Sequence, residues 1–139
     1  MPTRNATAKW EGGLKGGKGS FSTDTINGNF SFLSRFGDGP GSTPEGLLGA
    51  AHGSCFSMAL SAALEGAGAT NTTVETRVGV TAEKVGGGFA ITAIKLVCTI
   101  SATGIDSAKI LELAEATKSG CIVSRALSAV PMTLEAQVV

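Results

Sequence analysis

The segment Gly49–Leu60, GAAHGSCFSMAL, sets Cys55 three residues after His52, the only histidine of the chain. Residues at i and i+3 of a helix share a face, so thiol and imidazole could meet there. That pairing is the minimum for a cysteine nucleophile with a histidine base, the chemistry of acyl transfer. Two further cysteines are Cys98 and Cys121. Cys98 lies in the series Ile94, Leu96, Cys98, Ile100, and apolar neighbours of that kind raise a thiol pKa and leave it inert. Cys121 follows Gly120 and opens the turn CIVSRAL, where the dipole and free amides of a helix start favour a thiolate. A buried thiolate also needs a fixed positive charge, because desolvation disfavours it. Arg35, set among Phe32, Leu33 and Phe36, can supply that charge, and Glu45 can fix the guanidinium by a bidentate pair. Plainer readings stand beside these: two unrelated buried thiols, a solvated loop arginine, and a first-turn acid complementing a helix dipole. Residue types alone leave both sets open.

Acyl transfer fits Cys55 poorly. Nucleophile and base from adjacent turns of one buried helix would leave a peptide or ester little access. A metal site fits less well still: His52 and the three cysteines show no CxxC or HxxxH spacing, and structural zinc wants four well-placed ligands. Gly12–Gly19 has the spaced glycines and Lys18 of a phosphate loop, but Gly19 stands where Ser or Thr must hold magnesium. A glycine-rich hairpin is the better reading of that stretch.

The elements that must position these groups follow from local pattern. Ala6, Ala8 and Trp10 alternate with polar neighbours, and Ser20–Thr23 and Phe30–Leu33 read as two more short strands. In STPEG, Thr43 suits a helix N-cap, Pro44 the first helical position and Glu45 the positive end of the dipole. From Leu47 the helix runs to about Glu65, before Gly66 and Gly68. It is apolar on nearly every side, as a central helix covered all round would be. Val74–Ala82 and Ala90–Ile100 form a hairpin across KVGGG. Asp106 caps a second amphipathic helix through Lys118, with Ile110, Leu113, Ala114 and Thr117 inward, and a last strand runs from Met132 to Val139. The succession is α+β, with the long helix packed on sheet.

The chain has 139 residues, one domain's worth, with 11 basic against 11 acidic residues. Only 16 % are charged and mean hydropathy is +0.25. A soluble domain typically carries about 25 %, so part of the surface is expected to be covered by another copy. No basic footprint for nucleic acid is present. MPTRNATAKWEGG lacks the apolar core of a signal peptide, and no apolar run was expected to reach the ~18 residues of a membrane span. Three cysteines in a reducing cytoplasm, the expected location, would matter by reactivity.

The ordered motifs SRF, GPGSTPEGLLGAAHGSCFSMALS, EKVGGGFAITAIKL, GID and AEATKSGCIVSRAL closely resemble the OsmC/Ohr family of thiol peroxidases, the OsmC branch above all. The likeness runs from Trp10 to the last strand. It implies an OsmC-like α+β fold of antiparallel sheets packed on a long central helix carrying Cys55, in an intertwined homodimer. By the motif match Cys55 corresponds to the peroxidatic cysteine and Cys121 to the resolving one. Arg35 corresponds to the arginine holding thiolate and peroxide, and Glu45 to the acid orienting that arginine. Family members often carry a second acid after this one; Gly46 stands here. The implied substrate is an organic hydroperoxide, the implied reductant a dithiol, with a lipoylated protein as one candidate. No metal, flavin or haem is implied, because sulfur carries the two electrons. His52 then reads as a helix-packing residue. The rival functions are a cysteine hydrolase using Cys55 and His52, and a non-catalytic structural dimer.

Overall fold

Small and aromatic residues alternating with polar ones begin the chain as a strand, β1 (Ala6–Glu11), which the glycine-rich turn folds back on β2 (Lys18–Thr23). A third strand, β3 (Asn27–Phe30), completes an antiparallel sheet in the order β1-β2-β3. These data come from a computed structural model describing residues 1–139. The chain divides into two compact units, residues 1–47 and 48–139.

In the first unit the strand expected over Phe30–Leu33 stops at Phe30. Residues Phe32–Phe36 form a short helix, α1. Ser31 and Ser34 decide this: Ser34 N–H donates to Ser31 Oγ at 3.0 Å, and Ser31 N–H donates to Ser34 Oγ at 2.8 Å. That reciprocal capping box satisfies two orphan donors at once, which outweighs the strand preference of a short aromatic run. The following loop is tied back by Ser34 Oγ–H to the Ser42 carbonyl at 2.9 Å and by Ser42 N–H to the Asn29 carbonyl at 2.8 Å.

The long helix α2 spans Pro44–Gly66. As expected, Thr43 caps it, its Oγ1 accepting from Gly46 N–H at 2.9 Å. In the second unit Gly49, His52, Gly53, Phe56, Leu60 and Leu64 are buried, a single stripe at helical spacing. The two glycines permit close approach to the sheet. A Cβ at Gly53 would meet Val78 Cγ2 at 3.2 Å and the Thr76 carbonyl at 3.3 Å. The helix is not covered all round within this chain: Ala50, Ser54, Met58 and Ala62 form an exposed stripe. Nor is the expectation of no span-length apolar run met, since α2 has an 18-residue window of mean hydropathy 1.4. Its buried face packs as a core helix, with Phe56, Leu60 and Leu64 fully buried, each contributing roughly 1.5–3 kcal/mol.

Strands β4 (Thr70–Val85) and β5 (Gly88–Thr103) make the expected hairpin, closed by Gly86 at φ +60°. That left-handed backbone suits a glycine in a two-residue turn. On β5 the buried residues alternate (Ile94, Leu96, Cys98, Ile100), facing the core. Asp106 caps α3 (Ser107–Gly120) by accepting from Lys109 N–H at 2.8 Å. Then follow α4 (Ile122–Ala126) and β6 (Met132–Val138). The expectation of antiparallel sheets fails here: β6 pairs parallel to β5, from Ile94↔Met132 to Ile100↔Val138. The two helices between β5 and β6 supply the crossover that a parallel pair requires.

Candidate active site

The sequence-derived site residues fall in two groups, one in each unit. In the first, α1 presents Arg35 to Glu45 of the first turn of α2. Arg35 Nε donates to Glu45 Oε1 at 2.9 Å and to Oε2 at 3.2 Å, and Arg35 Nη2 donates to Oε1 at 2.5 Å. Glu45 is half-buried. Burial pushes its carboxyl up, but the hydrogen bonds and charge of Arg35 overcome this and hold it below the ordinary value. The guanidinium carbon lies 5.3 Å from the Phe36 ring centre, a cation–π distance. Arg35 also lines an apolar cavity of about 200 Å³ together with Trp10, Leu14, Phe30, Phe32 and Phe36. Here the fork-to-carboxylate pair prevails over the solvated loop arginine.

In the second group, α2 and the α3–α4 corner bring Cys55 and Cys121 together. Cys121 ends α3 and serves as N-cap of α4, its Sγ accepting from Ser124 N–H at 3.3 Å. Burial raises the Cys121 thiol. The Cys121 thiol donates to Ser124 Oγ at 3.2 Å; its interactions with the Ser124 hydroxyl and amide, with Cys55 and with the Val123 amide outweigh burial and hold it below its ordinary value. Cys121 is buried and Cys55 half-buried, and neither is in a disulfide. The two are therefore not unrelated thiols: the Cys55 side chain is among the groups that lower the Cys121 thiol.

Cys98 is separate. It is fully buried on β5, its thiol raised by burial and only partly relieved by the Thr76 hydroxyl at 3.7 Å. It has the surroundings of an inert thiol.

His52 is fully buried, and desolvation pushes its pKa down, so the ring is neutral. Its Nε2 lies 2.7 Å from Ser124 Oγ, and its Nδ1 has no partner. Neither nitrogen bonds Cys55, so the histidine-activated nucleophile of the acyl-transfer reading is not assembled. Ser124 itself, 2 % exposed, was missed in the sequence. Its one local signal is position: three residues after Cys121, where a capped helix donates its amide to the cap.

With this geometry in hand, comparison with known proteins gives one answer. The OsmC-like protein family matches residues 37–135. Peroxiredoxin OsmC of Escherichia coli (strain K12) is 42% identical over 137 residues, 96% of this chain and 95% of that protein. Among solved structures, an OsmC-like protein from Mycoplasma pneumoniae superposes with a TM-score of 0.77 at 14% identity, covering 99% of this chain and 98% of that one. The organic hydroperoxide resistance protein OhrB of Bacillus subtilis gives 0.65 at 22%, covering 96% and 98%. These two likenesses speak to the fold.

Proposed function

The chain belongs to the OsmC-like protein family and is a cysteine-based peroxidase, and from that premise we propose that it reduces organic hydroperoxides to alcohols through Cys55 and Cys121. Hydrogen peroxide is the weaker substrate. The Cys55 thiolate attacks the distal peroxide oxygen. The O–O bond breaks, the departing alkoxide takes a proton to become the alcohol, and Cys55 is left as a sulfenic acid, the first and reversible rung of cysteine oxidation. The Cys121 sulfur then attacks the Cys55 sulfur. An S–S bond forms, the S–O bond breaks, and the hydroxide leaves as water once protonated. A dithiol reductant, with a lipoylated protein as candidate, opens the disulfide by exchange. Arg35 stabilises the Cys55 thiolate and orients the peroxide, and Glu45 holds Arg35. The working unit is a homodimer, for which the exposed apolar stripe of α2 is the available surface, in a cytoplasmic setting.

One observation carries this reading: Cys55 and Cys121, 66 residues apart in the chain, are brought near enough for the Cys55 side chain to act on the Cys121 thiol. The aromatic cavity beside Arg35 supports a hydroperoxide with an apolar R group, since burying alkyl surface there is favourable at about 25 cal/mol per Å². The test treats the reduced protein with one equivalent of cumene hydroperoxide, followed by intact mass and a peptide map. Loss of two hydrogens with a Cys55–Cys121 linked peptide is the expected result. Three free thiols and unconsumed peroxide would overturn the reading, and labelling of Cys55 by acylating esters in their place would point to a hydrolase.

A further inference from the structure

Behind Cys121 stands a second tier of polar groups that peroxide reduction, as described above, does not use. His52 of α2 and Ser124 of α4 meet at 2.7 Å, and Ser124 Oγ lies 3.2 Å from Cys121 Sγ. All three side chains are buried, His52 completely. A buried imidazole bonded to a buried hydroxyl is costly to assemble unless its bonds are satisfied.

Counting protons shows which way the chain of bonds runs. His52 is neutral, so one ring nitrogen carries a hydrogen and the other a lone pair. Nδ1 has no partner. A proton there would leave a buried donor orphaned, the rarer and costlier fault. The hydrogen therefore sits on Nε2 and is donated to Ser124 Oγ. The Ser124 hydroxyl proton must then go elsewhere, and the neighbouring acceptor is Cys121 Sγ. With Cys121 a thiol, Sγ–H donates to Ser124 Oγ at 3.2 Å, Nε2–H points at the same oxygen, and the hydroxyl proton is unused. Once Cys121 is a thiolate, the Ser124 hydroxyl turns to the sulfur, which accepts from it and from the Ser124 amide at 3.3 Å, and each of these donors has an acceptor.

We propose that Ser124, oriented by His52, is the positioning residue that keeps Cys121 poised as an anionic nucleophile and thereby sets the rate of disulfide closure. This rests on the peroxidase reading and deepens it. In the closure step Cys121 S⁻ attacks the sulfenic sulfur of Cys55 and expels hydroxide, which takes a proton from water or solvent; no further oxidant or reductant is consumed. Without the Ser124 hydroxyl, Cys121 spends more time as a thiol and the sulfenic acid waits longer. A second hydroperoxide can then carry Cys55 to the sulfinic acid, which is not readily reversed.

The experiment follows the full-length protein after excess cumene hydroperoxide, with samples quenched by a sulfenic-acid trap and resolved by mass. Ser124→Ala and His52→Leu are expected to slow closure about ten-fold, the worth of one hydrogen bond to a charged acceptor, and to accumulate trapped sulfenic acid and then sulfinic acid on Cys55. Ser124→Thr, which retains a hydroxyl, and His52→Gln, which retains an N–H donor, are expected to recover most of the rate. A purely structural role would not show that rescue, and the far-ultraviolet spectrum and thermal midpoint of each variant report whether it is folded. Closure at the parent rate in folded Ser124→Ala would overturn the inference. Cys121→Ser separates it from the reading beneath: if that variant also turns over repeatedly, the resolving role of Cys121 falls instead.

Discussion

Replacing Glu45 by alanine is the sharpest perturbation the ion pair offers. The change removes three charge-assisted contacts, Nε to both carboxylate oxygens and Nη2 to Oε1. The Arg35 side chain is 39% exposed and that of Glu45 12%, so water screens much of the interaction. A loss of about 1 kcal/mol in stability is expected, the upper part of the range for partly exposed pairs. The effect on rate should be larger than the effect on folding. An unpinned arginine regains rotamer entropy worth roughly 2 kcal/mol. If Arg35 must be in place in the transition state, that freedom is lost again at each turnover and slows Cys55 oxidation about 30-fold. Stopped-flow mixing of reduced protein with an organic hydroperoxide gives the second-order constant directly. Arg35→Lys should fall at least as far, because an ammonium cannot form the fork. The acid limb has a defined sign. Glu45 is held below the ordinary glutamate value of about 4.3, so its contribution is present above that pH and is lost as pH falls through the lowered folded value. Urea midpoints of the parent should therefore lose the pair's contribution only as pH falls through that lowered value, and Glu45→Gln should lack that limb. A Glu45→Ala protein that melts earlier yet oxidises within two-fold of the parent would refute the reasoning and make the pair a fold element only.

His52 gives a pH dependence of stability. Its folded pKa lies below the ordinary value of about 6.5, so the unfolded chain binds the proton more readily, and stability is lost as pH falls below that value. Urea midpoints should decline from pH 7 toward pH 5 in the parent and decline less in His52→Gln. Gly53→Ala would place a Cβ 3.2 Å from Val78 Cγ2 and 3.3 Å from the Thr76 carbonyl. The overpacking cost of about 1–3 kcal/mol should exceed the helix gain of about 1 kcal/mol, lowering the thermal midpoint by a few degrees. Met58, 79% exposed on α2, should lie in the homodimer contact. Met58→Lys is then expected to give a monomer by light scattering, and a parent that is itself monomeric would contradict this.

Where a fold feature is decided by neighbours in sequence, it was legible. Thr43 and Pro44 start α2, Asp106 starts α3, and the glycines between Val85 and Gly88 turn the hairpin, because caps and tight turns are local bargains between adjacent residues. The failures share a physical cause. Phe30–Leu33 has strand composition, yet the pair Ser31 and Ser34 makes two bonds only a helix start can make. The direction of β6 depends on a partner strand more than thirty residues earlier, which no local pattern encodes. The bare stripe of α2 reads in sequence like any other apolar face, since composition cannot say whether the cover comes from the same chain.

The site divides along the same line. Arg35 and Glu45 are ten residues apart, and their pairing could be weighed as a possibility from chemistry alone. The contact of His52 with Ser124 bridges 72 residues, and a serine in a helical turn carries no mark of what it will face. What the structure adds is a difference in surroundings between two thiols that look alike as letters. Cys55 is the more accessible; Cys121 is buried yet holds the Ser124 amide and hydroxyl beside its sulfur. A buried sulfur that must become an anion needs its hydrogen bonds in place beforehand, because reorganising a packed interior during the reaction would slow it. The unpartnered Nδ1 of His52 fits the proposed arrangement, in which Nε2 donates to Ser124 and frees the serine proton for Cys121 as its thiol ionises.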